Sequence, residues 1–249
     1  MVNMVNWKKG KTKMYKNHKV VVTFTSWKKR IGNCARVVRH VLSNTLKPDI
    51  VFLNLSEAEF PRRELDLPKE LVKLSKDDST FKLNWVPGPN TKTMKKVFPI
   101  LPLLDDDDII IYMDDDFILP DGFVQCRVDD FIEHGCKHAI SSWLKTISNS
   151  MLTNVTGYPL KNSSQPSSLV TKRMLSGYEV FYSNSDVCYR AADDSLYTLL
   201  VTLNGFTYVP CKDYGLSQSG KCAHPIKNDF NTVSPLKTMG VFKKNGYSQ

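Results

Sequence analysis

The sequence predicts an α/β fold in which a single domain is built on a mainly parallel central sheet. Two observations support this prediction. Short apolar runs rich in β-branched residues recur along the chain, and stretches with helical periodicity separate them. Strands and helices that alternate in this way form parallel sheets covered by helices. The 249 residues, of which 41% are hydrophobic, are enough to bury the core of one such domain.

The predicted elements follow one another from residue 19 onward. Apolar runs predict strands at 19–25, 50–55, 81–86, 109–113, 138–142, 180–182 and 206–209. Helical spacing of apolar residues predicts helices near 37–44, 68–74, 91–98, 122–134 and 194–203. Residues 145–173 are rich in Ser, Asn, Thr and Pro, which predicts a long mobile loop; the alternative is a surface insertion without regular structure.

The net charge of +9 favours an anionic partner, without choosing among phosphates, nucleic acid and membranes. The densest basic stretch is the N-terminal arm at 1–18. We interpret this arm as a solvated terminus, and the alternative is a peripheral contact with a membrane surface or an acceptor. No apolar run reaches the ~18 residues that span a bilayer, and the start lacks the apolar core of a secretory leader. The six cysteines contain no C-x-x-C pair, so we expect reduced thiols and a cytoplasmic location.

Three consecutive aspartates, Asp114, Asp115 and Asp116, directly follow the most apolar predicted strand. Like charges so close together raise one another's pKa, and a bound cation removes that penalty. Mn²⁺ and Mg²⁺ prefer carboxylate oxygens and leave positions open for phosphate oxygens. The cluster therefore predicts a metal-diphosphate site, with a solvated acidic turn as the alternative. We prefer the acidic turn for the run at 105–108, because it precedes its strand and belongs at the opposite edge of the sheet.

Five segments in the same order resemble GT-A glycosyltransferases that use nucleotide-sugars. The segment IIIYMDDDFILP at 109–120 resembles their D-x-D strand, and VVVTFTSWKKRI at 20–31 resembles the first nucleotide-binding strand of a bacterial and viral subgroup. Members of that subgroup build surface polysaccharides or decorate capsids. The other matches are KPDIVFLNLSEAEFP at 47–61, the Gly88-Pro89 turn with Lys92, and Ala192-Asp193-Asp194. The resemblance covers roughly residues 19–210 and implies a GT-A, Rossmann-like domain.

The resemblance divides the chain into a nucleotide-binding half at 19–120, an acceptor half at 121–211 and a tail at 212–249. It implies a donor that is a nucleoside-diphosphate sugar, expected to be a UDP-sugar, and an acceptor that is a glycan. Nucleic acid is not an expected partner. The residues implied to contact the nucleotide are Thr25, Ser26, Arg30, Lys92, Asp114 and Asp115.

The resemblance also implies a metal site and a base. Asp116 and Asp114 would hold Mn²⁺ or Mg²⁺, and His224 is the candidate for a late histidine ligand. Asp194 would act as the general base of an inverting reaction, with Asp193 as the other candidate. Each acid at the start of the last helix has an alternative role, which is to stabilise the helix dipole.

Several of these residues also allow a purely structural interpretation. Arg30 and Lys92 are equally consistent with surface cations, and Ser26 with a cap for the helix that follows. His224 lies in a polar tail, where a surface histidine is the ordinary expectation.

Two other functions compete with the transferase. In a haloacid-dehalogenase-type phosphatase, Asp114 would be the nucleophile and Asp116 the acid. The other motifs would come from Ser142, Lys145 and the pair Asp193-Asp194. That fold opens with its nucleophile strand, so this interpretation leaves the first hundred or so residues unexplained. A basic nucleic-acid-binding module would suit the charge, but the sequence shows no recognised binding signature.

Overall fold

The computed structural model describes residues 18–117, 119–146, 161–183 and 193–211. In these ranges one sheet holds the strands β1 (Val20–Thr25), β2 (Ile50–Ser56), β3 (Phe81–Val86), β4 (Ile109–Met113), β5 (Ala139–Thr146), β6 (Lys161–Thr171) and β7 (Tyr208–Pro210). The α-helices are α1 (Cys34–Leu42), α2 (Lys69–Asp77), α3 (Phe123–Glu133), α4 (Tyr178–Tyr182) and α5 (Asp193–Leu203). Short 3-10 helices span Ile31–Asn33, Arg63–Asp66, Lys92–Lys96, Phe98–Leu103 and Lys172–Leu175.

The strand order is β3-β2-β1-β4-β6-β5-β7. The first four strands in this order run parallel to one another, and β5 runs parallel to β7. Of the strands described, β6 alone is antiparallel to its neighbours, β4 and β5. This topology confirms the predicted α/β domain with a mainly parallel sheet. The carboxyl ends of β1, β2 and β4 consequently meet at one edge, where parallel sheets bind their ligands.

The middle of the sheet is buried because its strands are almost entirely apolar. All five residues of β4 are buried, as are the first five of β1. Such continuous apolar runs are typical of strands covered on both faces. Val37, Val38 and Val41 of α1 join the same hydrophobic core. Within the described ranges, no helix combines the length and apolarity needed to cross a membrane.

The prediction of a loop at 145–173 is wrong for the residues of that range that the structure describes. Residues 161–171 form β6, which pairs with β4 on one side and β5 on the other. The polar composition concealed this strand, because Ser167 and Ser168 satisfy their hydroxyls inside the sheet. Ser167 donates to the backbone oxygen of Tyr112 at 3.0 Å, and Ser168 Oγ lies 3.1 Å from Ser141 Oγ. Residues 147–160 lie outside the described ranges.

Two other local predictions change. The strand predicted at 180–182 is the short helix α4, which follows Gly177 in the left-handed region at φ 82°. The helix predicted at 91–98 is a pair of 3-10 segments that continues to Leu103. The acidic run at 105–108 does lie at the opposite edge, as predicted, where Asp108 accepts a hydrogen bond from the Lys19 amide at 2.8 Å.

Candidate active site

A cleft of about 210 Å³ lies beside the carboxyl ends of β1 and β4. Its lining residues are Thr25, Ser26, Trp27, Arg30, Glu59, Asn90, Lys92, Thr93, Lys95, Lys96, Asp114 and Asp115. The structure thus brings together all six residues that the sequence resemblance assigned to the nucleotide. Their role in binding remains a prediction. A larger cavity of about 390 Å³ lies elsewhere, among residues such as Ile109, Phe131 and Phe206, and none of the predicted site residues lines it.

Asp115 is held by two residues of the loop after β1. Ser26 Oγ donates to Asp115 Oδ2 at 2.5 Å, and the Arg30 guanidinium donates to Asp115 Oδ1. Arg30 also pairs with Asp116 Oδ2 at 3.1 Å. Burial raises the pKa of Asp115, and the charge of Arg30 and the hydrogen bond from Ser26 oppose that rise. Arg30 is therefore no surface cation, and Ser26 fixes the acidic cluster instead of capping a helix.

Asp114 is paired with a lysine that the sequence did not single out. Lys96 Nζ donates to Asp114 Oδ1 at 2.8 Å and to Asp193 Oδ2 at 2.7 Å. The pKa of Asp114 is raised to about 6, because the effect of burial outweighs the opposing effect of the Lys96 charge. Burial alone would lower the pKa of Lys96, but the nearby carboxylates of Asp114, Asp193 and Asp194 raise it. Lys96 thus links the D-x-D segment to the start of α5.

A second group of polar residues forms the other wall of the cleft. Lys95 donates to the backbone oxygen of Lys92 at 2.8 Å and to the side chain of Asn90. Asn90 in turn donates to Glu59 Oε2 at 3.1 Å, and Glu59 Oε1 accepts the backbone amide of Lys28 at 3.0 Å. Burial lowers the pKa of Lys95 to about 8, with Glu59 opposing the change. Sequence reasoning missed Glu59, Asn90 and Lys95, because nothing local shows that they face the same cleft.

The charges of the lining residues favour an anion. Four of them are cationic, Arg30, Lys92, Lys95 and Lys96, and three are acidic, Glu59, Asp114 and Asp115. With every group ionised, the lining carries one net positive charge. Lys92 itself adopts a left-handed backbone at φ 50°, which is uncommon for a residue with a side chain.

Among the residues described, a divalent ion fits this site when the substrate supplies further ligands. Asp116 Oδ1 is buried and accepts no hydrogen bond, so it has a lone pair available for a cation. The described ranges contain no group of three His, Cys, Asp or Glu side chains that could hold a metal by themselves. Mg²⁺ ordinarily binds through one or two carboxylates together with substrate phosphates and water. Asp116 fits that pattern, and His224 lies outside the described residues.

The two candidate bases stand at the amino end of α5. Asp193 is mostly buried, and its carboxylate is bound to Lys96. Asp194, the next residue, is half-buried and close enough to raise the pKa of Lys96. Both are acids in the first turn of the helix, where they also stabilise its dipole. Neither lines the cleft among the residues described.

The phosphatase interpretation finds little support in this geometry. Ser142 Oγ donates to the backbone oxygen of Ser167 at 2.9 Å, and Ser142 belongs to β5. The antiparallel strand β6 separates β5 from β4 and its aspartates. That interpretation also leaves β1, β2 and β3 unexplained, which are three of the seven strands described.

Comparison with known proteins identifies the fold of this chain but no family to which it belongs. No protein-family model matches the sequence, and no curated protein matches it either. Among solved structures, a mannosyltransferase from Pyrobaculum calidifontis, in complex with GDP-Man and Mn²⁺, aligns with a TM-score of 0.51 at 13% identity. The alignment covers 82% of this chain and 58% of that one.

Two further structures align with lower scores. TarS residues 1–349 from S. aureus, in complex with UDP-GlcNAc, gives a TM-score of 0.48 at 12% identity over 91% of this chain and 65% of that chain. The 4-diphosphocytidyl-2C-methyl-D-erythritol synthase from Anaerococcus prevotii gives 0.44 at 10% identity over 81% and 90%. At these identities the likeness is one of fold. The chain has the mixed α/β, Rossmann-like fold of the mannosyltransferase, and it spans little more than half of that protein's length.

Proposed function

We propose that the chain is a metal-dependent glycosyltransferase that moves a sugar from a nucleoside-diphosphate donor, a UDP-sugar, to a glycan acceptor. The observation that carries the proposal is the meeting of two sequence-distant segments in one cleft. In the loop after β1, Ser26 donates a hydrogen bond to Asp115, and Arg30 forms an ion pair with Asp116. These contacts join the end of the first strand to the D-x-D segment after β4. The fold shared with a mannosyltransferase that binds GDP-Man and Mn²⁺ supports the same general activity.

The cleft residues have distinct roles in this proposal. Arg30, Lys92 and Lys95 would attract the diphosphate, and Thr25 and Ser26 would line the nucleotide pocket. Asp116, with its open carboxylate oxygen, would hold Mn²⁺ or Mg²⁺ together with the phosphates. The bound ion would supply charge stabilisation to the departing diphosphate. Asp114 would lie near the ribose or a metal-bound water.

The acceptor hydroxyl needs a base, because its proton must leave as the bond to the anomeric carbon forms. Asp194 is our candidate. Asp193 is bound to Lys96 at 2.7 Å, and we assign it a holding role. Its carboxylate would hold the start of α5 in place while Asp194 accepts the proton.

The proposal is tested by calorimetric titration of UDP, GDP and CDP into the protein with Mn²⁺ and then with a chelator. We expect UDP to bind best, and we expect the chelator to weaken it at least tenfold. Asp116→Asn should abolish the difference between the two conditions. Asp77→Asn is the matched control, because Asp77 is an exposed aspartate on α2 that pairs only with the exposed Lys73 in the contacts described.

Equal affinity for UDP with and without the ion would remove the metal from the proposal. Failure of all three nucleotides to bind would overturn the proposal as a whole. If UDP binds, metal-dependent release of sugar from a panel of UDP-sugars would identify the donor.

A further inference from the structure

Lys96 contacts both halves of the predicted site. Its ammonium lies 2.8 Å from Asp114 Oδ1, at the end of β4, and 2.7 Å from Asp193 Oδ2, at the start of α5. The lysine side chain is 2% exposed. Two carboxylates from segments far apart in the sequence therefore share one buried cation.

The backbone of Lys96 is fixed on the parallel strands. Its carbonyl oxygen accepts hydrogen bonds from Thr23 Oγ1 of β1 at 2.6 Å and from Asn54 Nδ2 of β2 at 3.3 Å. Asn54 Nδ2 also donates to Thr23 Oγ1 at 2.8 Å, and Asn54 Oδ1 accepts from Asn84 of β3 at 2.7 Å. A polar network inside the sheet thus sets where the ammonium can reach.

The energetics tie the three charged groups together. A buried ammonium is costly unless it is paired, and removal of either carboxylate leaves a charge without full compensation. The trio carries a net charge of −1 when all three are ionised. A group that binds Asp114 shares that carboxylate with Lys96, so its binding changes how strongly Lys96 holds Asp193.

We propose that Lys96 is a positioning residue that couples donor binding to the arrangement of the candidate bases. It holds Asp193, and with it the first turn of α5 and Asp194, at a fixed distance from the donor-facing Asp114. This inference rests on the proposed transferase function. It assigns Asp193 an effect on donor affinity even though Asp193 does not line the cleft among the residues described.

The test is a double-mutant cycle on UDP affinity, measured by calorimetry in the presence of Mn²⁺ with wild type, Asp193→Asn, Lys96→Met and the double variant. In Asp193→Asn the ammonium loses one of its two carboxylate hydrogen bonds, so it holds Asp114 more strongly against the donor. We expect the Kd to rise at least fivefold, the lower end of typical coupling between sites. In the Lys96→Met background the same substitution should leave the Kd within twofold, because the link is gone.

A merely structural ion pair predicts a different outcome. Its loss would lower the melting temperature, but Asp193→Asn would leave the UDP Kd unchanged, and that result overturns the inference. If Lys96→Met does not fold, a cycle of Asp114→Asn and Asp193→Asn replaces it; strictly additive effects on the Kd would overturn the inference as well. If wild type binds UDP but the mutant cycle shows no coupling between Lys96 and Asp193, this inference alone fails. If wild type binds no nucleotide, the proposed function fails too.

Discussion

The buried pair of Arg30 and Asp115 provides a test of what holds the acidic cluster together. Their side chains are 10% and 6% exposed, and Arg30 also lies 3.1 Å from Asp116. Arg30→Met keeps much of the apolar stem but removes the charged partner of Asp115, which retains the Ser26 hydrogen bond and one from its own backbone. Removing one partner of a buried pair costs about 3–5 kcal/mol. We expect the lower end, about 3 kcal/mol, because Ser26 remains and Asp115 can take up a proton.

Urea denaturation measures this loss directly, and thermal unfolding should show a melting temperature lower by roughly 6–12 °C for a chain of this size. The loss should also depend on pH. Without Arg30 the pKa of Asp115 rises further above its unfolded value. Stability from a raised pKa is present at low pH and is lost as pH rises through the folded pKa. The variant should therefore be more destabilised near neutral pH than near about pH 4.

Lys73→Met is the matched control, since Lys73 pairs with Asp77 on the surface with side chains that are 74% and 54% exposed. Exposed pairs contribute about 0.2–1 kcal/mol. A loss below about 1 kcal/mol for Arg30→Met, or one equal to that of the control, would refute the view that Arg30 neutralises the cluster.

Three other predictions concern the same cleft. Asp194→Asn should leave UDP binding intact and lower sugar transfer about a hundredfold, and transfer at the normal rate would remove Asp194 as the base. Between about pH 7 and pH 9 the UDP Kd should rise roughly tenfold, because Lys95, with a pKa of about 8, loses its charge. Measuring the Kd across this pH range should show the rise in wild type and not in Lys95→Met. Ser26→Ala should cost about 1–3 kcal/mol in urea denaturation by removing a buried hydrogen bond to a charged group, and an unchanged midpoint would contradict the anchoring role of Ser26.

The sequence predicted where the acidic cluster lies in the sheet because the signal is local. An apolar run followed at once by Asp114 requires the strand to end there, and the carboxyl end of such a strand lies at the ligand-binding edge. Ser26 and Arg30 were predictable for the same reason, since they directly follow the other central strand.

Lys96 was not predictable in this way. Lys92, Lys95 and Lys96 resemble a solvated basic segment in the sequence, yet the side chains of Lys95 and Lys96 are buried. What permits burial of Lys96 is a pair of carboxylates 18 and 97 residues further along the chain. Only the folded chain brings them together.

β6 was missed for a related reason. Its alternation of apolar and polar residues is weak, so no pattern in the sequence indicates a strand. The neighbouring strands on both sides supply the hydrogen bonds that its backbone and the hydroxyls of Ser167 and Ser168 need.

The position of β6 also determines which pieces of the chain can stand alone. A fragment that ended after β4 would keep the nucleotide half but would leave β4, with the sequence IIIYM, as an open edge with unpaired backbone groups. Flat apolar edges of this kind pair with other copies and aggregate. The outer strands of the whole sheet are better protected, since β3 exposes Lys82 and β7 ends at Pro210. The polar strand that sequence patterns overlook is thus the one that shields the most apolar strand of the sheet from self-association.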